Sequence, residues 1–244
     1  MREMALPVRP PINYGSRAKL GMMFPSVNVV AEPQMSAMLP AGVSLHTTRL
    51  HLDEKDMRTM LDRLEEATTL LADARVDRIL FHCTGVTMSS VEIVDEIRQR
   101  IAAITPIPTV ITSDAVLQAL ACFNATKVVL VTPYPQHIND FEVRFLTHHG
   151  VTVLRERGLN LPGTQFATVE PEQWFAEAVA MRDPAADAYF LSCTAIRSTD
   201  VVEALERELG RPVITSNQAA MWRALRDAGI DDRIEGFGRL LREF

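Results

Sequence analysis

The amino-acid sequence predicts an α/β fold of two pseudo-symmetric parallel four-stranded sheets flanked by helices, with the active site between the halves. Short runs rich in Val, Ile and Phe alternate with longer segments of helical periodicity, which is the pattern of repeated βα units. The chain also resembles itself: residues 19–25 align with residues 127–133, and Gly42 then falls on Gly150 without a gap. This similarity favours duplication of one unit over the shared physics of unrelated βα units.

Eight strands are predicted, four in each half. They cover residues 20–24, 43–50, 78–82, 109–112, 127–132, 152–158, 188–192 and 212–215. Between the second and third strands, apolar residues from Met57 to Leu71 recur on one face of a predicted long helix. Apolar residues from Val91 to Ile101 mark another helix. Helices between successive strands indicate parallel sheets.

Three regions are predicted along the chain. Residues 1–18 form an N-terminal arm, which contains prolines and arginines but lacks the apolar run of a signal peptide. Residues 19–112, together with a C-terminal segment, form the first α/β lobe. Residues 113–225 form the second lobe.

Composition narrows the classes of function. Of 244 residues, 47% are hydrophobic, which suffices for one large core or two small ones. The net charge of -6 argues against a nucleic-acid surface. No run approaches the ~20 apolar residues of a membrane helix. The 3 cysteines cannot all pair, so free thiols and a cytoplasmic location are expected.

Two matching strands end in cysteines, at the edge of a parallel sheet where sites form. Each cysteine is followed by Thr and a small residue, in Cys83-Thr84-Gly85 and Cys193-Thr194-Ala195. The duplication places the two thiols on opposite walls of one pocket. Small residues let backbone N–H groups approach a ligand, and a following helix N-terminus favours an anion. A thiol there is expected to have a lowered pKa and to act as a nucleophile or as an acid and base.

Structural roles remain as alternatives for several residues. Both cysteines could be buried packing residues, a role that fits Cys122 in a predicted helix well. Ser113 and Ser216 begin the helices after the fourth strand of each half, and helix capping alone explains them. His82 precedes Cys83 on a strand and is expected to face away from it.

No cofactor or metal is expected. Residues 236–238 contain two glycines but lack the third glycine and the preceding strand of a dinucleotide loop. His148 and His149 end a predicted helix beside Gly150, where they suit the helix dipole better than a metal site.

Segments beyond the cysteines point to a known family. They are Pro25-Ser26-Val27-Asn28 with Glu32, residues 72–77 and residues 131–134. With the two cysteines, they make the chain from residue 19 onward resemble the aspartate/glutamate racemase superfamily. Within it, the chain is most similar to the maleate cis-trans isomerase and arylmalonate decarboxylase branch, and closest to the maleate isomerases.

The resemblance implies a role for each site residue. In maleate isomerases the first thiol adds covalently to the double bond and the second supplies and removes the proton. Those roles fall on Cys83 and Cys193. An Asn after the first strand and a Tyr after the fifth hold the carboxylates. The residues expected to bind the substrate are Ser26, Asn28, Thr84, Gly85, Tyr134, Thr164, Gln165, Thr194 and Ala195.

Departures from the family pattern keep alternatives open. The isomerases carry a further Asn after the sixth strand, where this chain has Thr164 and Gln165 as substitute donors. The decarboxylases have glycine in place of Cys83. The racemases have Asn-Thr-Ala-His after the first cysteine, and this chain does not.

The sequence therefore predicts a cofactor-independent isomerase of a small dicarboxylate, converting maleate to fumarate. A racemase or an arylmalonate-type decarboxylase using the same thiols is one alternative, and a non-catalytic carboxylate-binding protein is another. Symmetry alone allows either thiol to be the nucleophile. Residues 160–168 are a candidate lid, and a homo-oligomer, dimeric or higher, is expected on base rates.

Overall fold

The computed structural model describes residues 12–53 and 55–244, and eight parallel strands form its framework. The first four are β1 (Ala18–Pro25), β2 (Val43–Leu50), β3 (Arg78–Phe81) and β4 (Thr109–Ile111). The second four are β5 (Lys127–Thr132), β6 (Thr152–Gly158), β7 (Ala188–Leu191) and β8 (Val213–Thr215). The two sheets have the orders β2-β1-β3-β4 and β6-β5-β7-β8. Because these orders are equivalent, the predicted fold class and its pseudo-symmetry are confirmed.

Helices connect the strands, as parallel pairing requires. In the first half they are α1 (Ala31–Ala37), α2 (Leu64–Asp73), α3 (Thr84–Thr87), α4 (Glu92–Ala102) and α5 (Thr112–Cys122). In the second half they are α6 (Gln136–His148), α7 (Pro171–Ala180), α8 (Val202–Leu209), α9 (Ser216–Asp227) and α10 (Arg239–Glu243). Short 3₁₀ segments cover Met57–Leu61, Gly163–Thr168 and Thr199–Val201.

The predicted long helix from Met57 to Leu71 is wrong in one respect, because it is two elements. A 3₁₀ turn, capped by the side chain of Asp56, is followed by α2. Arg63, between them, has a backbone conformation outside the helical region. Met60, Leu61, Leu64 and Leu71 of the predicted face are all buried, so the hydrophobic pattern located the buried face but not the break.

The two halves are joined through the helices that follow their last strands. Helices α5 and α9 pack against each other, and the buried side chains of α9 belong to the same core as those of the first sheet. This packing brings the carboxyl ends of both sheets to a common site. The lobe boundaries remain predictions.

The predicted arm is only partly described. Residues 1–11 lie outside the described residues, and β1 begins at Ala18. Between them, Asn13 Nδ2 donates to the Val43 carbonyl at 2.6 Å, and Arg17 Nη1 donates to Asp232 Oδ1 at 2.8 Å. Within residues 12–53 and 55–244, none of the helices is long and apolar enough to span a bilayer.

Candidate active site

The two strand-end cysteines occupy equivalent places. Cys83 follows β3 and immediately precedes α3, while Cys193 follows β7. Cys83 is 6% exposed and Cys193 is 4% exposed, and neither forms a disulfide. Each sulfur faces backbone N–H groups, those of Gly85 and Val86 for Cys83 and that of Ala195, at 3.3 Å, for Cys193. These donors can stabilise negative charge on sulfur or on a bound anion.

Burial makes both thiols weak acids. It raises the pKa of each thiol to about 12, outweighing the neighbouring N–H groups and, at Cys193, the Tyr134 hydroxyl. The expected lowering of the thiol pKa is therefore wrong for the unliganded site. The helix N-terminus was visible in the sequence, but the depth of burial depends on the second lobe. Both thiols are protonated at neutral pH.

Ser216 connects the two cysteine loops. Its hydroxyl accepts hydrogen bonds from Thr84 Oγ1 at 2.7 Å and from the backbone N–H of Cys193 at 3.2 Å. The helix-capping interpretation of Ser216 is wrong, because Thr215 caps α9 in a capping box with Gln218. Ser113 does not cap α5 either, and its buried hydroxyl has no partner among the described residues.

Asn28 links the first strand to the second thiol's loop. Its Oδ1 accepts from the N–H groups of Val30 and Ala31, at 2.9 and 3.0 Å, which fixes the start of α1. Its Nδ2 donates to Thr194 Oγ1 at 3.0 Å. At 2% exposure, this amide is buried where the two halves meet.

Tyr134, after β5, lies beside both cysteine loops. Its hydroxyl lies beside the Cys193 thiol and favours the thiolate form of that sulfur. A Cβ added at Gly85 would lie 3.7 Å from Tyr134 Oη and 3.7 Å from Met57 Sδ, so this glycine leaves about one methyl group of space. Burial and the neighbouring acidic groups raise the pKa of Tyr134, which keeps it a neutral hydrogen-bond donor.

His82 belongs to a buried hydrogen-bond network that reaches the loop of the second thiol. Its Nε2 lies 2.8 Å from Asn217 Oδ1, and its Nδ1 lies 3.0 Å from Thr112 Oγ1. Asn217 Nδ2 in turn donates to Gln34 Oε1 at 2.6 Å and to the Thr194 carbonyl at 3.2 Å. Burial lowers the pKa of His82 to about 4, so the imidazole is neutral. This network ties α1 and α9 to the loop of the second thiol.

Comparisons with known proteins give the relationships of this chain. A model of the arylmalonate decarboxylase family matches residues 20–241. The chain belongs to the arylmalonate decarboxylase family. The predicted membership of the branch that contains maleate isomerases and arylmalonate decarboxylases is thereby confirmed.

The curated relatives of this family member include both maleate isomerases and an arylmalonate decarboxylase. A maleate isomerase from Nocardia farcinica is 28% identical over 240 residues, covering 92% of this chain and 96% of the relative. An arylmalonate decarboxylase from Bordetella bronchiseptica is 31% identical over 143 residues, covering 57% of this chain and 60% of the relative.

A solved structure also matches nearly the whole chain. It is a Nocardia farcinica maleate cis-trans isomerase, a cysteine-to-serine mutant with a covalently bound succinylcysteine intermediate. It is 26% identical, has a TM-score of 0.87, and covers 93% of this chain and 99% of that chain.

Ser26, Thr164 and Gln165 differ from the buried thiols of this family member's site in their exposure. All three are exposed, Ser26 beside β2 and the other two in the 3₁₀ segment Gly163–Thr168. From that segment Phe166 reaches Tyr134 in an edge-to-face contact of 5.5 Å. The role of Thr164 and Gln165 in binding substrate remains a prediction.

Glu142 is a residue that the sequence analysis missed. It lies on α6, is 0% exposed, and accepts a hydrogen bond from Ser192 Oγ at 2.9 Å. Burial raises its pKa to about 8. Helical periodicity does not distinguish one buried Glu from the exposed charges around it, so only the assembled fold identifies it. Among the described residues, no cluster of three or more His, Cys, Asp or Glu side chains is arranged to hold a metal ion.

Proposed function

We propose that this protein is a cofactor-independent isomerase that converts maleate to fumarate with Cys83 and Cys193 as its catalytic residues. The observation that carries the proposal is the pair of thiols at equivalent strand ends, whose loops share the Ser216 hydroxyl. The similarity to a maleate isomerase with a covalent succinylcysteine intermediate supports it.

The reaction begins with addition. The Cys83 thiolate forms a C–S bond to one alkene carbon, and the π electrons move to the neighbouring carbon and its carboxylate. The Cys193 thiol gives its proton to that carbon and becomes a thiolate. The product is a succinyl thioether on Cys83, with a single bond where the double bond was.

Elimination then gives the trans product. Rotation about the new single bond brings the carboxylates to opposite sides. The Cys193 thiolate removes the proton from the same carbon, the double bond re-forms, and the C–S bond breaks with its electrons returning to sulfur. Fumarate leaves, and the site again holds one thiolate and one thiol.

Polar groups around the thiols bind the two carboxylates. The predicted ligands are the Asn28 amide, the Tyr134 hydroxyl and the backbone N–H groups beside Thr84 and Thr194. Such donors are strongest where water is excluded, and they stabilise the charge that develops on a carboxylate during addition. The assignment of Cys83 as nucleophile rests on the family resemblance.

Turnover requires the thiol pair to lose one proton. In the unliganded site both thiols are neutral, since burial raises the pKa of each to about 12. Only the thiolate is nucleophilic. The rate of the addition step is therefore expected to rise with pH above neutrality.

Trapping the adduct tests this proposal. Cys193→Ser, incubated with maleate and digested, is expected to carry one maleate-derived mass on the Cys83 peptide, because the reverse proton abstraction is impaired. Cys83→Ser should carry no such mass, and Cys122→Ser is the control for a cysteine outside the site. An adduct on Cys193 alone would reverse the roles of the thiols. No adduct in any variant would contradict covalent addition.

An arylmalonate-type decarboxylase is the second candidate. The observation that favours it is the 31% identity to such an enzyme over 143 residues. In that case Cys193, beside the Tyr134 hydroxyl, protonates the carbanion left by decarboxylation. The protein would release carbon dioxide from an aryl-substituted malonate and leave Cys83 unmodified.

Two further expectations accompany the proposal. We propose a cytoplasmic location because Cys83, Cys122 and Cys193 are free thiols, which persist in reducing compartments. A homo-oligomer is the expected assembly, and size-exclusion chromatography with light scattering tests it.

A further inference from the structure

A carboxyl group is buried directly behind the second thiol. Glu142 Oε1 accepts the Ser192 hydroxyl at 2.9 Å, and Ser192 immediately precedes Cys193. Within residues 12–53 and 55–244, Glu142 Oε2 has no hydrogen-bond partner and no cation pairs with the carboxyl. A buried carboxyl without a cation is costly when ionised, so its presence calls for a role.

The same face of α6 also supports Tyr134. Asn139, one turn before Glu142, accepts from Thr132 Oγ1 at 2.5 Å. Thr132 Oγ1 accepts from the backbone N–H of Tyr134 at 3.1 Å. Thr132, Asn139 and Glu142 are all completely buried. Helix α6 therefore supports Tyr134 through Asn139 and Thr132, and it supports Cys193 through Glu142 and Ser192.

Cys193 needs such support. Its φ is +145°, a region that residues other than glycine rarely adopt. Its own N–H is held by Ser216 at 3.2 Å, and the N–H of Ser192 is held by the Val131 carbonyl at 2.9 Å. The hydrogen bond from the Ser192 hydroxyl to Glu142 restrains the side chain of the residue that precedes the strained Cys193.

We propose that Glu142 is a positioning residue for Cys193: it acts through Ser192 to hold the second thiol in place, and it must be uncharged for the thiols to ionise readily. This inference rests on the proposed function, because it assigns Glu142 to the same pair of thiols.

The electrostatics of the site support the second part of this role. A negative Glu142 raises the pKa of Cys83, Cys193 and Tyr134, the titratable groups that face it from the loops after β3, β7 and β5. Glu156, on the neighbouring strand β6, accepts from Gln136 instead. Burial raises the pKa of Glu142 to about 8, so the carboxyl is neutral at neutral pH. When the pH exceeds this pKa, Glu142 becomes negatively charged, and its charge opposes formation of a thiolate at Cys83 or Cys193.

Glu142→Gln tests the charge while keeping the acceptor. Its amide oxygen can still accept from Ser192, so maleate turnover at neutral pH is expected to stay within about threefold of wild type. The pH at which Cys83 becomes reactive toward iodoacetamide is expected to shift downward, because the opposing charge is gone. Asp140→Asn, an equal charge change at an exposed position of α6, should shift neither quantity.

Glu142→Leu tests the positioning. Loss of the acceptor is expected to lower kcat about tenfold to a hundredfold, since a small displacement of a catalytic group has effects of that size. If Glu142→Leu does not fold, the glutamine variant and Ser192→Ala carry the test. Ser192→Ala removes the same hydrogen bond from the other side and is expected to lower kcat in the same way.

Two results would overturn the inference. One is a Cys83 alkylation profile in Glu142→Gln that coincides with wild type. The other is full activity in both Glu142→Leu and Ser192→Ala. Failure of the proposed function is separable, because alkylation of Cys83 is measured without maleate. A shifted alkylation profile with no isomerisation would uphold the coupling and contradict only the substrate.

Discussion

Each thiol of the candidate site combines a stabilising position with a buried environment. Backbone N–H groups face both sulfurs, yet burial raises the pKa of each thiol to about 12. The N–H groups could be predicted from the sequence, because each cysteine ends a predicted strand and is followed by Thr and a small residue, which is a local pattern. The net direction of the pKa depends on tertiary packing, which no local pattern contains. Reactive thiols in this protein must be activated during turnover.

Alkylation kinetics test the protonation state of the resting thiols. With iodoacetamide at neutral pH, Cys122 is expected to react before Cys83 and Cys193, because it is partly exposed whereas they are buried and protonated. The rates at Cys83 and Cys193 should continue to rise with pH well above neutrality, since the thiolate is the reactive form. Peptide mass spectrometry over a pH series measures each rate. A plateau for Cys83 near neutral pH would contradict a raised pKa.

Ser216 and Ser113 form a natural pair for comparison. They hold matching places in the two halves. Within residues 12–53 and 55–244, the Ser216 hydroxyl has Thr84 and the Cys193 N–H as hydrogen-bond partners, whereas the Ser113 hydroxyl has none. Ser216→Ala leaves that N–H without an acceptor and is expected to cost about 1–3 kcal/mol in the free energy of unfolding and to lower activity.

Ser113→Ala is the matched control. Because the Ser113 hydroxyl has no partner among the described residues, its loss breaks no observed hydrogen bond and is expected to lower the free energy of unfolding less than Ser216→Ala does. Urea denaturation compares the two variants. Equal effects on stability and activity would show that the Ser216 link between the cysteine loops is unimportant.

At the scale of elements, strands were predictable and one helix was not. The strands inside each sheet, β1, β3, β5 and β7, are almost wholly buried, so short apolar runs mark them in the sequence. The edge strands β2 and β6 are partly exposed and have a weaker apolar pattern. The segment from Met57 to Leu71 keeps a helical pattern across a break, because the 3₁₀ turn and α2 present the same apolar face. Glu142 was not predicted, because its burial depends on the elements that pack against α6 and leaves no local pattern in the sequence.

The 3₁₀ segment Gly163–Thr168 is the element whose role is most open to test. Phe166 meets Tyr134 edge-to-face at 5.5 Å, a contact worth about 0.5–1.5 kcal/mol beyond its buried area. Phe166→Leu is therefore expected to lower kcat/KM for maleate by about two- to tenfold. Phe175→Leu, on α7 in the same core, is the control. Equal losses in both variants would indicate general loosening of the core rather than support of Tyr134.

At the scale of the whole molecule, duplication explains why one site holds two thiols. Each half contributes a cysteine at the end of its third strand, and contacts between the halves, Thr84–Ser216 and Asn28–Thr194, bring the two loops together. Internal similarity located the cysteines, and the family resemblance supplied Asn28 and Tyr134. The contacts that join the halves link residues distant in sequence, so they required the structure.

The central claim is that both thiols act together on one small dicarboxylate. Proton NMR of maleate in heavy water, followed over time with the wild-type protein, Cys83→Ala and Cys193→Ala, tests it most directly. Fumarate is expected with the wild-type protein, and neither single variant should form it at a comparable rate. Unchanged maleate with the wild-type protein, or undiminished fumarate formation by either variant, would contradict the claim.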